Sequence, residues 1–263
     1  MMSILIKPTV LCFSGHDPCG GAGIQADIET LISHRCHPCS VITAITEQDT
    51  HNVHKLISQQ AHDFVRQTKT LLADFDIKAI KIGLIGDIEL AKAIQYILAD
   101  NPQIPVILDP VLAAGGGQHL SDDNLTNAIF ELLVPHATIL TPNSNEARKL
   151  TKLNNLDDCG LSLLKQGCPY VLITGTHENT SEVNNRLYHQ NELVENFSWD
   201  RLPAEYHGSG CTLATSIAAM IAHGLEPYHA ILEAQDYTWN ALNEAYSPGQ
   251  GQRIPNRLFW MQE

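Results

Sequence analysis

The chain has 263 residues, 44% of them hydrophobic and 17% charged, with a formal net charge of −13. That balance fits a chain folded throughout around a full core, and its acidity excludes nucleic acid and anionic membranes as main partners, since phosphate surfaces demand a basic face. No apolar run reaches transmembrane length, residues 1–8 are too short and interrupted for a signal peptide, and seven scattered cysteines fit reduced thiols, which together predict a cytoplasmic protein.

Residues 9–14 form a continuous apolar run, the pattern of a strand buried on both faces of a parallel sheet. Gly15-His16-Asp17-Pro18-Cys19-Gly20-Gly21-Ala22-Gly23 follows as a glycine loop, and a helix is predicted over 24–33. The glycine spacing departs from G-x-G-x-x-G, which argues against a dinucleotide site. Asp27 is expected in the first turn of that helix, where the dipole favours a carboxylate able to point back over the loop; capping is its other role. The single C-x-x-C, Cys36 and Cys39, has no second pair and reads as structural. Further strands are predicted over 40–46, 79–83, 106–111, 137–142 and 170–175, with helices over 62–72 and 88–98 and a hairpin of 187–189 with 193–197. Asp109 falls at the C-terminal end of its strand, where open parallel sheets bind ligands, and is a metal or phosphate-side candidate. Gly115-Gly116-Gly117 follows as a mobile loop. Asn143 caps the next helix, with Glu146 at capping-box distance. A long helix over 227–245 closes the chain, and the whole is an α/β fold, a three-layer sandwich around a mainly parallel sheet.

His207-Gly208-Ser209-Gly210-Cys211-Thr212 runs straight into an apolar, small-residue segment that Gly224 ends. Leu213, Ile217, Met220 and Ile221 fall at helical spacing, so the helix starts at or just after Gly210. Gly208, Ser209 and Gly210 would turn bare backbone amides toward an anion, helped by the helix dipole. Cys211 sits in the first turn, where a thiol is expected to lose its proton more easily and serve as base or nucleophile. A tight-packing helix start with Cys211 as filler is the other reading.

The glycine loop running on through Ile24-Gln25-Ala26-Asp27, Asp109-Pro110-Val111, Thr141-Pro142-Asn143 with Glu146-Ala147, and the His207–Thr212 motif occur in this order. Together they resemble the bacterial hydroxymethylpyrimidine/phosphomethylpyrimidine kinases of thiamine biosynthesis, a branch of the ribokinase-like fold. The resemblance implies one ribokinase-like α/β/α domain over 1–263 and two successive phosphorylations by ATP with Mg2+. It also implies a small aminopyrimidine substrate and a homodimer. By the same resemblance Gly15, Ala22, Asp27, Gln48, Leu84 and Val111 would surround the pyrimidine, and Gly208, Ser209, Gly210 and Cys211 would serve the transferred phosphoryl group, with Cys211 as base. Asp109 and Glu146 would hold magnesium, partly through water, while Asn143, Thr174 and Gly175 would approach the nucleotide. The family commonly has a lysine where this chain has Gly115-Gly116-Gly117, Lys-Gly-Gly-His where it has Thr174-Gly175-Thr176-His177, and Asn-Thr-His where it has Glu205-Tyr206-His207. A pyridoxal kinase of the same type and a silent pyrimidine-binding sensor stay open as alternatives.

Overall fold

The computed structural model describes residues 7–113 and 120–261, so the expected loop Gly115-Gly116-Gly117 lies outside the described residues. In chain order the elements are β1 (Thr9–His16), α1 (Gly23–Ser33), β2 (His37–Gln48), β3 (Val53–Ser58), α2 (Ala61–Asp74), β4 (Ile77–Ile82), α3 (Ile88–Asp100), β5 (Val106–Leu108) and α4 (Asp123–Ala128). They continue with β6 (Ile139–Leu140), α5 (Ser144–Thr151), α6 (Leu156–Lys165), β7 (Tyr170–Ile173), β8 (Glu182–His189), β9 (Glu192–Asp200), α7 (Ser209–Ala222) and α8 (Pro227–Asn243).

The strands form one sheet in the order β3-β2-β1-β4-β5-β6-β7-β8-β9. The pairings from β2 to β7 are parallel, and β3, β8 and β9 add antiparallel edges. Alternation within each apolar strand feeds both faces. Val10 and Cys12 of β1 pack with Leu31 of α1, Ile217 of α7 and Ile231 of α8, whereas Leu11 and Phe13 pack with Phe64 of α2, Ile94 of α3 and Leu163 of α6. Helices therefore cover both faces of the sheet.

Strand β5 is shorter than the predicted 106–111, because Pro110 has no N–H to continue the ladder. The Asp109 amide is the last to pair, donating to Ile82 O at 2.8 Å. From β1 the chain passes through α1 to β2 on one side, and β4 lies on the other. That reversal opens a crevice at the C-terminal ends of β1 and β4, the place where sheets of this kind take ligands.

Candidate active site

The glycine loop leaves β1 and is shaped by Asp17. Its carboxylate accepts from Cys19 N and Ala22 N, each at 2.8 Å, and from His207 Nε2 at 2.9 Å. Burial pushes the Asp17 carboxyl up, but the hydrogen bond and charge of His207 and the two amides outweigh it and hold it below the usual range. His207 thus fastens the glycine loop to the lead-in of α7. At the next position Gly208 has φ +83°, and a Cβ there would run into the carbonyl oxygen of Gly21. The two loops touch backbone to backbone, a contact that only glycine permits.

Helix α7 begins at Ser209, slightly earlier than the sequence suggests, with Gly208 as its cap. Cys211 is in the first turn, as expected. Its thiol is not easily ionised, however: burial pushes it up to about 11, and Asp109 and Asp27 add to this, while Lys81 and the Gly23 amide oppose them. The desolvation of the sulfur outweighs the helix terminus, which corrects the expectation of a lowered thiol. Cys211 hydrogen-bonds the Asp109 carboxylate, and the missing Cβ of Gly210 would stand 3.8 Å from both Asp109 oxygens.

The expected pyrimidine residues divide into two groups. Gly15 and Leu84 are in contact, since a Cβ on Gly15 would lie 2.8 Å from Leu84 Cδ2. Val111 sits just past β5, its amide bonded to Asp109 O at 2.9 Å. Gln48 ends β2 with its side-chain amide 3.1 Å from His207 Nε2 and 2.7 Å from Thr46 Oγ1. Thr46 already donates to His16 O at 2.8 Å, and His207 Nε2 must carry its proton to meet Asp17. In the structure Gln48 Oε1 faces Thr46 and its NH2 faces His207, and turning the amide over, with the oxygen toward His207 and the NH2 toward Thr46, would meet both constraints.

Asp27 stands apart from these. Helix α1 starts at Gly23, so Asp27 lies in its second turn, not the first, and is fully buried. Its oxygens accept from Ser14 Oγ at 2.5 Å, Thr215 Oγ1 at 2.6 Å and Lys81 Nζ at 2.9 Å. The carboxylate is turned into the protein and holds Lys81, with no surface facing a ligand, which corrects the expectation that it points back over the loop. Sequence reasoning missed Lys81. The signal was available: a lone cation in the apolar run Ala79-Ile80-Lys81-Ile82-Gly83 cannot stay charged without a carboxylate.

Asp109 and Glu146 are both buried and both pushed up, first by desolvation, and Asp109 further raises Glu146. Asp109 Oδ2 has no hydrogen-bond partner among the described residues. The capping box is present, with Glu146 N donating to Asn143 Oδ1 and Asn143 N donating to Glu146 Oε2, each at 2.9 Å. Two crowded carboxylates and one orphaned oxygen fit a divalent cation. No cluster of three or more ligating side chains occurs among the described residues, and magnesium, which keeps several waters and binds phosphates, does not need one. Asn143 and Thr174 are brought side by side by a short parallel bridge, and Gly175 N donates to Asn185 Oδ1 at 3.1 Å.

Comparison with known proteins identifies the family and the fold. The phosphomethylpyrimidine kinase family model matches residues 17–256. The hydroxymethylpyrimidine/phosphomethylpyrimidine kinase of Haemophilus influenzae is 32% identical over 92% of this chain and 93% of its own length. The crystal structure of the phosphomethylpyrimidine kinase of Clostridium difficile aligns with a TM-score of 0.77 at 29% identity, over 88% of this chain and 98% of that one. The pyridoxal kinase of Staphylococcus aureus, solved with pyridoxal, shares the fold with a TM-score of 0.88 at 24% identity over 98% of this chain and 96% of that one. With its ribokinase-like α/β/α sandwich and the glycine loop closed against the start of α7, the chain belongs to the phosphomethylpyrimidine kinase family and is an ATP-dependent phosphotransferase.

Proposed function

We propose that the protein phosphorylates 4-amino-5-hydroxymethyl-2-methylpyrimidine with ATP, and then phosphorylates the resulting monophosphate to the diphosphate, in thiamine biosynthesis. The observation that carries this reading is the link from Gln48 through His207 to Asp17, which joins the pyrimidine side of the cleft to the helix start suited to a phosphoryl group. Gly15, Ala22, Leu84 and Val111 would line the ring, and the Gln48 amide would read its polar edge. Asp27 acts behind them as the counter-ion of Lys81.

In each transfer the bond from the γ-phosphorus to the bridging oxygen breaks and the electron pair leaves with ADP. A bond forms from phosphorus to the acceptor oxygen, which in the first step is a hydroxymethyl group whose proton must be removed. The amides of Gly208, Ser209 and Gly210 would meet the charge that spreads over the equatorial oxygens. Asp109 and Glu146 would hold magnesium, Glu146 through water because its oxygens already accept two backbone amides. When bound, that ion supplies charge neutralisation at the phosphates. With the Asp109 charge offset, Lys81, the Gly23 amide and the helix terminus would favour a Cys211 thiolate against the remaining desolvation and Asp27, and the thiolate would take the hydroxyl proton. Thr174 and Asn143 would approach the nucleotide phosphates.

Product analysis with ATP, magnesium and hydroxymethylpyrimidine tests the proposal, with pyridoxal as competitor. The expected products are the pyrimidine mono- and diphosphates. A clear preference for pyridoxal would replace the substrate while keeping the chemistry, and pyrimidine binding with no ADP formed would identify a sensor.

A further inference from the structure

The segment after α8 returns to the cleft. Tyr246 bridges Ile254, Tyr206 bridges Arg253, and the Arg253 carbonyl accepts from His207 N at 2.9 Å, so the tail lies along the segment that leads into α7. It delivers Arg257, whose side chain has no exposed surface. The guanidinium donates from Nη2 to Gly21 O at 2.5 Å, from Nε to Thr212 Oγ1 at 3.0 Å and from Nη1 to Glu29 Oε2 at 2.9 Å. Thr212 Oγ1 in turn donates to Gly208 O at 2.8 Å. The Arg257 carbonyl is itself fixed by the Tyr237 hydroxyl at 2.6 Å.

One planar, rigid fork therefore touches the glycine loop, α1 and the first turn of α7 at once. Stability alone gives a weak reason for it. Burying a guanidinium costs several kcal/mol before its pairings are counted, its carboxylate partner Glu29 is 44% exposed, and apolar residues fill such a space at no greater cost. What an apolar side chain cannot do is fix the distance between Gly21 O and Thr212. Arg257 also lies just past the end of the family match at residue 256.

We propose that Arg257 is a positioning residue for phosphoryl transfer. It sets the glycine loop, on the acceptor side, against Gly208 to Cys211, on the phosphoryl side, so that acceptor oxygen and phosphorus meet at reacting distance. This rests on the assignment of those two walls under the proposed function. A displacement near 1 Å at such a place costs ~10²-fold in rate.

The test uses the full chain with Arg257→Met and Arg257→Lys, measuring melting temperature, KM for each substrate, kcat, and the ratio of ADP released to pyrimidine phosphorylated. The expected result for Arg257→Met is a folded enzyme with kcat down by about 100-fold, a KM for ATP within about twofold of wild type, and an ADP ratio above one as water replaces the misplaced acceptor. Arg257→Lys, a single donor without the fork, should recover only part of the rate. If Arg257→Met does not fold, Arg257→Lys alone decides between the outcomes. Loss of activity only in proportion to lost folded protein, with the ADP ratio unchanged, would overturn the proposal. A wild-type enzyme that phosphorylates no pyrimidine would instead overturn the assigned function.

Discussion

Lys81 and Asp27 form a 2.9 Å ion pair in which neither side chain has any exposed surface. Burial pulls the Lys81 ammonium down, but Asp27, supported by Cys211 and Asp109, outweighs it and raises it above the ordinary lysine value. The pairing therefore favours the charged form of the lysine. Lys81 cannot touch a substrate, yet it lies close enough to Cys211 and Asp109 to act on both. Beneath the cleft Lys81 acts to lower the Cys211 thiol and the Asp109 carboxyl, and Asp27 acts against it on both.

Lys81→Met should leave Asp27 charged and unpaired and cost ~3–5 kcal/mol in a denaturant melt. The double variant Lys81→Met with Asp27→Asn should recover much of that loss, since the amide oxygen can still accept from Thr215 while the amide NH2 donates to the Ser14 hydroxyl oxygen. Its turnover should stay low, because the field at Cys211 and Asp109 is gone. A double variant with normal kcat would confine the pair to a structural role.

Cys211→Ala should keep ATP and pyrimidine affinity and lose ~10²–10⁴-fold in kcat. In the ligand-free protein the thiol is pushed up to about 11, so alkylation by iodoacetamide should be slow at neutral pH and still climbing at pH 9. Mass spectrometry of the Cys211 peptide checks this. A rate that levels off below pH 8 would mean the thiolate is already formed without ligand.

Sequence reasoning reached the parts of the site whose chemistry is local. The Asn143–Glu146 box, the glycine loop and the α7 start each declare themselves within a few residues, and the central strands do so by unbroken apolar runs. It missed β3, a polar edge strand that makes sense only beside β2, and α6, whose Leu156 and Leu163 become a core face only against β7 and β8. Lys81 and Asp27 are 54 residues apart, Asp17 and His207 are 190 apart, and Gly21 and Arg257 are 236 apart. Pairings at such separations belong to the fold and leave no spacing pattern in the chain. The lowered thiol expected at Cys211 failed for a related reason: the helix terminus is local, while the desolvation that outweighs it comes from packing.

Gln48→Ala should raise KM for the pyrimidine by about 10-fold or more while sparing ATP, because a site that loses a buried hydrogen-bond partner discriminates strongly. Gln48→Glu adds a sharper test. It places a carboxylate beside Asp17 and His207, removes the side-chain NH2, and should weaken pyrimidine binding at least as much as alanine does. Steady-state kinetics with each substrate varied would show it, and an unchanged pyrimidine KM in both variants would remove Gln48 from the site.

The crowded carboxylates predict an unusual pH dependence of stability. Burial is the main cause that pushes Asp109 up to about 6 and Glu146 up to about 8, with Asp27 adding to the first and Asp109 to the second. An acid raised in the folded state holds protons that the unfolded chain has released, so stability falls as pH rises through the interval between the two values. His34 works the other way. Burial, with His223, lowers it to about 4, so its effect is a gain in stability with rising pH that is complete near pH 6.5. Carboxylates held low, such as Asp17 and Glu178, finish their effect at still lower pH. Between about pH 6.5 and 8 the trend therefore belongs to Glu146 and the upper end of Asp109. The melting temperature of the ligand-free protein should fall across that window. Glu146→Gln, which keeps an acceptor for Asn143 N, should flatten the curve, and magnesium with ADP should flatten it in wild type by favouring the ionised pair. A wild-type melting temperature that rises from pH 6.5 to 8 would show both carboxylates already ionised in the free protein, and the cation would then have no proton to displace.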